Sequence, residues 1–196
     1  GLVLAVSVLI TVLSVMNGFD KELRERILAL IPHASLTGYG PLADFRPYVA
    51  MAESIDGVYE AAPFSFLQAL AVHGEKIRPG LLYGIDPEYE KSQSILRRLA
   101  GSSVLDQLHA PKTLIIGQGL AEKIAIKAGD QLRVLVPASS QQQLPQADYF
   151  KVVAVLHTGT ELDQKLMISH RKHLAILGGH DENVVDGIRI QVNDLF

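Results

Sequence analysis

Three features of this 196-residue sequence predict an α+β domain outside a membrane, set behind the end of a membrane-spanning helix. Residues 2–16 read LVLAVSVLITVLSVM, and no charge occurs before Asp20. A charged amphipathic stretch, DKELRERILALIP, follows within a few residues. Beyond Pro32, β-forming runs alternate with short helical ones, separated by Gly and Pro signals.

A helix needs ~20 apolar residues to cross the hydrocarbon. The 2–16 run is shorter and opens abruptly at Gly1, so the expectation is a transmembrane helix truncated at its N-terminus, of which the outer end remains. A secretory signal core would need a basic stretch before it and a small-residue cleavage site after it, and this run has neither. A buried core helix is the other reading of a short apolar run. Leu23, Ile27, Leu30 and Ile31 recur at helical spacing, Glu22 and Arg26 form an i,i+4 pair, and Pro32 ends the pattern. Residues 1–31 are therefore expected to be the span's end and a stalk helix, and residues 32–196 a core domain.

Within that domain, residues 33–37 alternate as a strand and 38–41 (GYGP) read as loop. Residues 45–55 read as a helix, with Pro47 in the first turn and Gly57 just past the end. Residues 58–73 are β-forming, with a break expected at Pro63. Gly74-Glu75 is a turn and 77–85 its partner strand, with a bulge or edge disruption expected at Pro79-Gly80. Strand, helix, strand and hairpin in that order suggest a split βαβ unit. Residues 87–108 read as helical and interrupted at Gly101. Strands are expected at 113–117, 131–136, 149–157, 165–169 and 184–192, with helices at 120–125 and 170–177. Asn193-Asp194 would cap a further helix just where the sequence stops, so a fragment of a longer protein is expected.

Composition excludes several functions. The net charge is −3 and there is no basic stripe to neutralise phosphates, so no nucleic-acid partner is expected. With no cysteine there is no thiol chemistry, disulfide or thiolate metal site. Gly117-Gln118-Gly119 follows an apolar strand, but Glu122 stands where a dinucleotide fingerprint needs its third glycine, so a tight strand-to-helix turn is the reading. His170 and His173 lie three apart beside Arg171 and Lys172. Two imidazoles without a third ligand do not hold zinc, and a solvated basic helix face is expected. Glu161 and Asp163 lack an acid partner, and no G-x-S-x-G nucleophile setting occurs. Glu60 reads as a solvated position. No catalytic residue, metal site or cofactor is expected, and the chain is not expected to be an enzyme. Residues 137–148 (PASSQQQLPQAD) are polar and longer than a hairpin requires. They read equally as a floppy tip or as a partner-contact loop presenting Ser139, Gln142, Leu144 and Pro145.

The run TVLSVMNGF at residues 11–19, followed by Glu22-Leu23 and Arg26-Ile27-Leu28, resembles the end of the first membrane helix in the LolC/LolE family. These are transmembrane subunits of the bacterial lipoprotein-releasing ABC transporter. Pro32-His33, Ala62-Pro63, Gly84-Ile85-Asp86-Pro87, Ile115-Ile116-Gly117, Gly129-Asp130-Gln131, Val136-Pro137 and Glu161-Leu162-Asp163 extend the resemblance over nearly the whole chain. The Gly129-Asp130 turn is shared with the wider superfamily that includes macrolide exporters.

The resemblance implies a two-lobed periplasmic domain, with a βαβ-type porter lobe and a β-rich lobe, inserted after the first membrane helix of an inner-membrane subunit. It implies extraction of lipoproteins from the inner membrane and their transfer to a periplasmic carrier. The partners would be a cytoplasmic ATPase subunit, a paired LolC/LolE-type transmembrane subunit, the lipoprotein substrates and the carrier. Val12, Val15, Met16, Phe19 and Leu23 match the positions that line the acyl-chain cavity. Met is flexible and polarizable, which suits varied chains. The 137–148 loop matches a hook that recruits the carrier in LolC but is shorter and lacks the hook's apolar tip, although Leu144 and Pro145 remain; the N-terminal motif leans towards LolC, whereas that clipped loop and Pro32-His33 lean towards LolE. Two other readings stand beside this one. The first is a related exporter-type mechanotransmitting subunit that handles no lipoprotein, and the second a membrane-anchored periplasmic binding module. A fragment carrying the bare apolar helix is expected to self-associate through it, to pack it onto its own domain, or to bind detergent.

Overall fold

Strand β2 (Val58–His73) serves three ladders, and the architecture follows from that. The computed structural model describes residues 34–91, 94–137 and 144–192, together with Val3, Val6 and Ser7. Around β2, in chain order, are β1 (Ala34–Leu42), α1 (Arg46–Glu53), β3 (Lys76–Ile85), α2 (Ile95–Ala100) and α3 (Ser102–Asp106). There follow β4 (Thr113–Gly117), α4 (Gln118–Ile124), β5 (Gln131–Val136), β6 (Gln146–Leu156), β7 (Leu166–His170), α5 (Arg171–Leu177) and β8 (Val185–Val192). One 3-10 turn at Gln107–His109 precedes β4 and another at Glu161–Gln164 precedes β7.

The strands lie in the order β1-β8-β2-β3-β7-β4-β6-β5, and β5 returns to pair with β2. Leu70 faces Leu135 and Ala71 faces Val134 across that closure, so six strands, β2 to β5 through β3, β7, β4 and β6, form a barrel. Its pairings are mixed: β3 with β7 and β4 with β6 are parallel, the rest antiparallel. Outside the barrel, the first half of β2 pairs with β8, and β8 pairs with β1. Both β1 and β2 are antiparallel to β8, so they are parallel to each other, with α1 crossing between them and β8 inserted. This is the expected split βαβ unit.

Three apolar clusters hold these parts. Barrel strands and α4 contribute Leu82, Leu114, Ile116, Leu120, Ile124 and Leu132 to the first. The second lies under α2 and α3 and includes Ile85, Leu96, Leu105 and Ile168. The third packs Phe45, Val49 and Ala52 of α1 and its approach against Ala61, Val185 and Ile188. A fully buried Leu or Ile contributes roughly 1.5–3 kcal/mol, so each cluster outweighs any single surface contact.

The strands at 113–117 and 131–136 form at the expected residues. Four local expectations are corrected. Residues 38–41 belong to β1, whose ladder to β8 slips between Thr37 and Leu42; the irregularity accommodates the glycines and Pro41. β2 is unbroken at Pro63. Pro63 faces Ile188 of β8, and the β3 ladder begins only at Phe64, so the missing N–H costs no bond on that side. Pro79 and Gly80 face Leu70 and Ala69 without a slip, so no bulge forms there. A Cβ on Gly80 would sit 2.7 Å from Met167 Cε and 3.0 Å from the Lys165 carbonyl; packing requires that glycine. Finally, β6 begins at Gln146 and pairs with Val136, which shortens the connecting loop to residues 137–145.

Among the described residues no helix is long and apolar enough to cross a membrane. The expected stalk (20–31) and the cap at Asn193-Asp194 lie outside the described residues.

Candidate functional site

Val12, Val15, Met16, Phe19 and Leu23, the positions matched to acyl-chain contact, lie outside the described residues, as do Ser139 and Gln142 of the loop. Val3 and Val6 are described and exposed. Leu144, the branched apolar residue of the loop, is 80% exposed, and Pro145 is exposed beside it. The base of the hairpin is ordered by pairing of Val136 with Gln146 and by a 2.9 Å ion pair between Lys112 and Asp148. Tyr149 is exposed nearby and faces Arg133 across the ladder. A loop held at its base by this pairing can present the exposed Leu144 to a partner.

The densest polar geometry lies elsewhere. Glu60 on β2, expected to be solvated, is 0% exposed. Arg189 on β8 donates from one nitrogen, Nη2, to Glu60 Oε1 at 3.0 Å and to Glu90 Oε1 at 2.6 Å. Ser94 Oγ donates to the other Glu90 oxygen, and the Lys91 backbone N–H donates to Glu60 Oε2 at 3.2 Å. Burial, reinforced by the Glu90 charge, outweighs Arg189 and pushes the Glu60 carboxyl up to about 7. Burial works against the Arg189 charge, yet Glu90, Tyr83 and Glu60 together hold its pKa above the ordinary range. Burial also raises the Tyr83 and Tyr59 phenols, and Tyr59 donates to Gln191 Oε1.

A second ionic site joins the end of β3 to α5. Asp86 accepts from Arg171 Nε at 2.8 Å, and His170 Nε2 lies 3.9 Å from Asp86. Arg171 also donates to the Glu182 carbonyl at 2.9 Å and stands 4.6 Å over the Phe45 ring. The expected solvated basic face is therefore corrected. His170 and Arg171 are buried, and His170 caps α5 by accepting from the Lys172 backbone N–H. Burial lowers His170 to about 4 and depresses His173 as well, which leaves both imidazoles neutral. Among the described residues no three His, Asp or Glu side chains are arranged to hold a metal.

The remaining sequence candidates have structural roles. A Cβ on Gly117 would lie 2.6 Å from the Asp163 carbonyl oxygen, and one on Gly119 would meet the Gln164 side chain. Close approach to backbone explains Gly117, whereas the Gln164 amide beside Gly119 is the end of a side chain that can move. Asp163 is buried and accepts from the backbone N–H groups of Thr158 and Gly159 at 2.9 and 3.1 Å, and from Thr158 Oγ1 at 2.6 Å; it staples its own loop. A shallow groove of about 390 Å³ between α4 and β6 is walled by Ala121, Ala125, Ala128 and Val155. Two of its polar residues, Gln118 and Glu122, bond each other at 2.7 Å rather than converging on the groove. A ligand site needs polar groups aimed inward.

The sequence reading missed the Glu60–Arg189–Glu90 cluster. One signal was present: Ile188-Arg189-Ile190-Gln191-Val192 alternates, which puts Arg189 and Gln191 on one face of a strand whose other face is apolar.

The fold is a mixed α/β domain in which a split βαβ sheet runs into a closed barrel, with buried ion clusters between its elements. The chain belongs to the MacB-like periplasmic core domain family, whose model matches residues 1–194. It is similar to the lipoprotein-releasing system transmembrane protein LolC of Neisseria meningitidis, with 32% identity over 99% of this chain and 48% of that protein. It is 30% identical to LolC of Xylella fastidiosa over 100% of this chain and 48% of that protein, and 24% identical to LolE of Haemophilus influenzae over 100% and 49%. The chain thus spans about half the length of the curated relatives it matches, and its resemblance to LolC/LolE covers all of it. Among solved structures, the periplasmic region of MacB from Actinobacillus actinomycetemcomitans overlays with a TM-score of 0.48 at 12% identity, covering 82% of this chain and 68% of that one.

Proposed function

We propose that this chain is the periplasmic domain of an inner-membrane ABC transporter subunit that extracts lipoproteins from the membrane and passes them to a periplasmic carrier. The observation that carries the reading is the LolC/LolE similarity over the whole chain, beginning in the apolar N-terminal run. In this reading the β1–β8–β2 end with α1 is the porter lobe and the barrel is the β-rich second lobe. Residues 1–31 are the outer end of a membrane helix and its stalk, and Val12, Val15, Met16, Phe19 and Leu23 meet the acyl chains. ATP is hydrolysed by a separate cytoplasmic subunit, and a second LolC/LolE-type subunit completes the channel. The 137–145 loop, through Leu144 and Pro145, is the contact for the carrier.

The MacB-like family favours one competitor, an exporter-type subunit that moves force and handles no lipoprotein. Photocrosslinking in cells separates the two. A crosslinker at Met16 or Phe19 of the full-length subunit is expected to give lipoprotein adducts when ATP hydrolysis is blocked. The same crosslinker at Glu75, exposed on the β2–β3 turn, is expected to give none. A stalk without adducts, in a subunit that still binds its ATPase, favours the exporter reading.

A further inference from the structure

The β1–β8–β2 end and the barrel are joined by β2, which runs through both, by the Phe66 backbone N–H, which reaches Asp186 at 2.8 Å, and by Arg171 of α5, which meets the Glu182 carbonyl and the Phe45 ring. The segment at residues 86–91, which leaves β3, is tied to each of them. At its start, Asp86 binds Arg171 of α5. At its end, Glu90 binds Arg189 of β8, the Lys91 N–H binds Glu60 of β2, and Lys91 Nζ reaches the Tyr59 carbonyl and Glu53 of α1 at 2.8 and 2.9 Å. Arg97 of α2 fastens the segment from behind, through the carbonyls of Glu90 and Pro87 at 2.6 and 2.9 Å.

We propose that residues 86–91 are a proton-linked latch that locks the β1–β8–β2 end to the barrel, closed by Glu60 and Glu90 sharing the single Arg189 guanidinium. The charge count is the reason for the proton. Two carboxylates, both 0% exposed, meet one nitrogen of one cation. An uncompensated buried charge is costly, and a carboxyl in that position keeps its proton instead. Among the described residues the neighbouring guanidinium of Arg97 on α2 is given to the Glu90 and Pro87 carbonyls and to Asp106 rather than to either carboxylate of the cluster. From β2 comes Tyr59, from β3 Tyr83, from β8 Gln191 and from α2 Ser94 at its cap, all neutral. Lys91 turns its ammonium outward to Glu53, and Arg98 acts on Tyr59 only at a distance. Closing the latch therefore takes up one proton, on Glu60, and ionising Glu60 sets the two carboxylates against each other and favours the open form.

The chain has no cysteine, so paired spin labels can be placed at Met51→Cys on α1 and Lys123→Cys on α4, both exposed, in the full-length subunit cleared of cysteines elsewhere. Pulsed dipolar spectroscopy then reads the ratio of open to closed distances. With Glu60 titrating at about 7 in the closed form, that ratio is expected to rise about tenfold between about pH 6 and about pH 8.5. Glu60→Gln, which carries no proton to lose, is expected to hold one distance at both values. A wild-type distribution that ignores pH, or a Glu60→Gln distribution that shifts with pH as the wild type does, overturns the proposal. Arg189→Met is expected to show the open distance at both values. The test stands even if that variant fails to fold, because the Glu60→Gln arm keeps the cation.

Discussion

Arg189→Met tests the energetics of the buried cluster directly. Methionine keeps most of the apolar stem, so the substitution removes charge and donors rather than packing. What remains is two carboxylates, each 0% exposed, with their shared partner gone. Removing one partner of a buried ion pair costs about 3–5 kcal/mol, because the remaining charge is left unsolvated. Against a total stability of about 5–15 kcal/mol that is a large fraction. A domain of this size loses about 2–4 °C of melting temperature per kcal/mol, so the expected drop is roughly 6–20 °C. The assay is thermal unfolding by circular dichroism near neutral pH, repeated in urea to check that the slope is unchanged. The triple variant Glu60→Gln/Glu90→Gln/Arg189→Met removes the stranded charges and is expected to recover much of the loss, because the cost lies in the unpaired carboxylates. A single variant that melts within about 2 °C of the wild type, or a triple variant no better than the single, refutes the reasoning.

Three further outcomes follow from the same geometry. Glu60 is raised from 4.5 to about 7, so its contribution to stability is fully present below about 4.5 and is lost as pH rises through 7. His170 is lowered from 6.5 to about 4, and its contribution is lost as pH falls from 6.5 through 4. The two slopes oppose each other over most of that window, so the wild-type minus Glu60→Gln difference in urea stability is the quantity to measure. That difference should change by up to roughly 3 kcal/mol between about pH 4.5 and about pH 8, with the wild type relatively weaker at the high end. Asp163→Ala strands the Thr158 and Gly159 N–H groups and is expected to cost about 2–4 kcal/mol, with faster hydrogen exchange confined to residues 157–164. Gly117→Ala drives a Cβ into the Asp163 carbonyl and is expected to cost about 1–3 kcal/mol in urea melts. Because that contact is with backbone, adding Asp163→Ala should give no rescue.

Much of the fold was legible because it rests on local signals. The strands at 113–117 and 131–136 and the turn at Gly74-Glu75 are set by apolar runs and turn residues that need no tertiary knowledge. The split βαβ unit also followed from element order. Barrel closure did not, because it depends on which strand β5 meets, and nothing in Gln131–Val136 names β2 as its neighbour. Pro63 and Pro79 misled for a related reason. A proline's effect on a strand depends on which side of that strand is paired at that residue, and pairing is a property of the sheet. β2 changes neighbours at Phe64, one residue after Pro63.

The site was legible in inverse proportion to sequence separation. The loop at 137–145 could be seen from composition alone, whereas the Glu60–Arg189–Glu90 cluster joins residues 129 and 99 positions apart. An isolated glutamate in a strand is usually solvated, which is why Glu60 read as surface. The alternation of β8 argued otherwise, since Ile188 and Ile190 pack on the α1 side and Arg189 must then face the opposite way. On a sheet covered on one face only, that direction leads to water. Here it leads to the segment after β3, whose Asp86, Glu90 and Lys91 look in sequence like ordinary solubilising charges. A strand arginine flanked by isoleucines is thus a request for a buried acid. The acids that answer it can be recognised only once the fold has placed β2, β8 and that segment against one another, and both carboxylates then compete for a single cation.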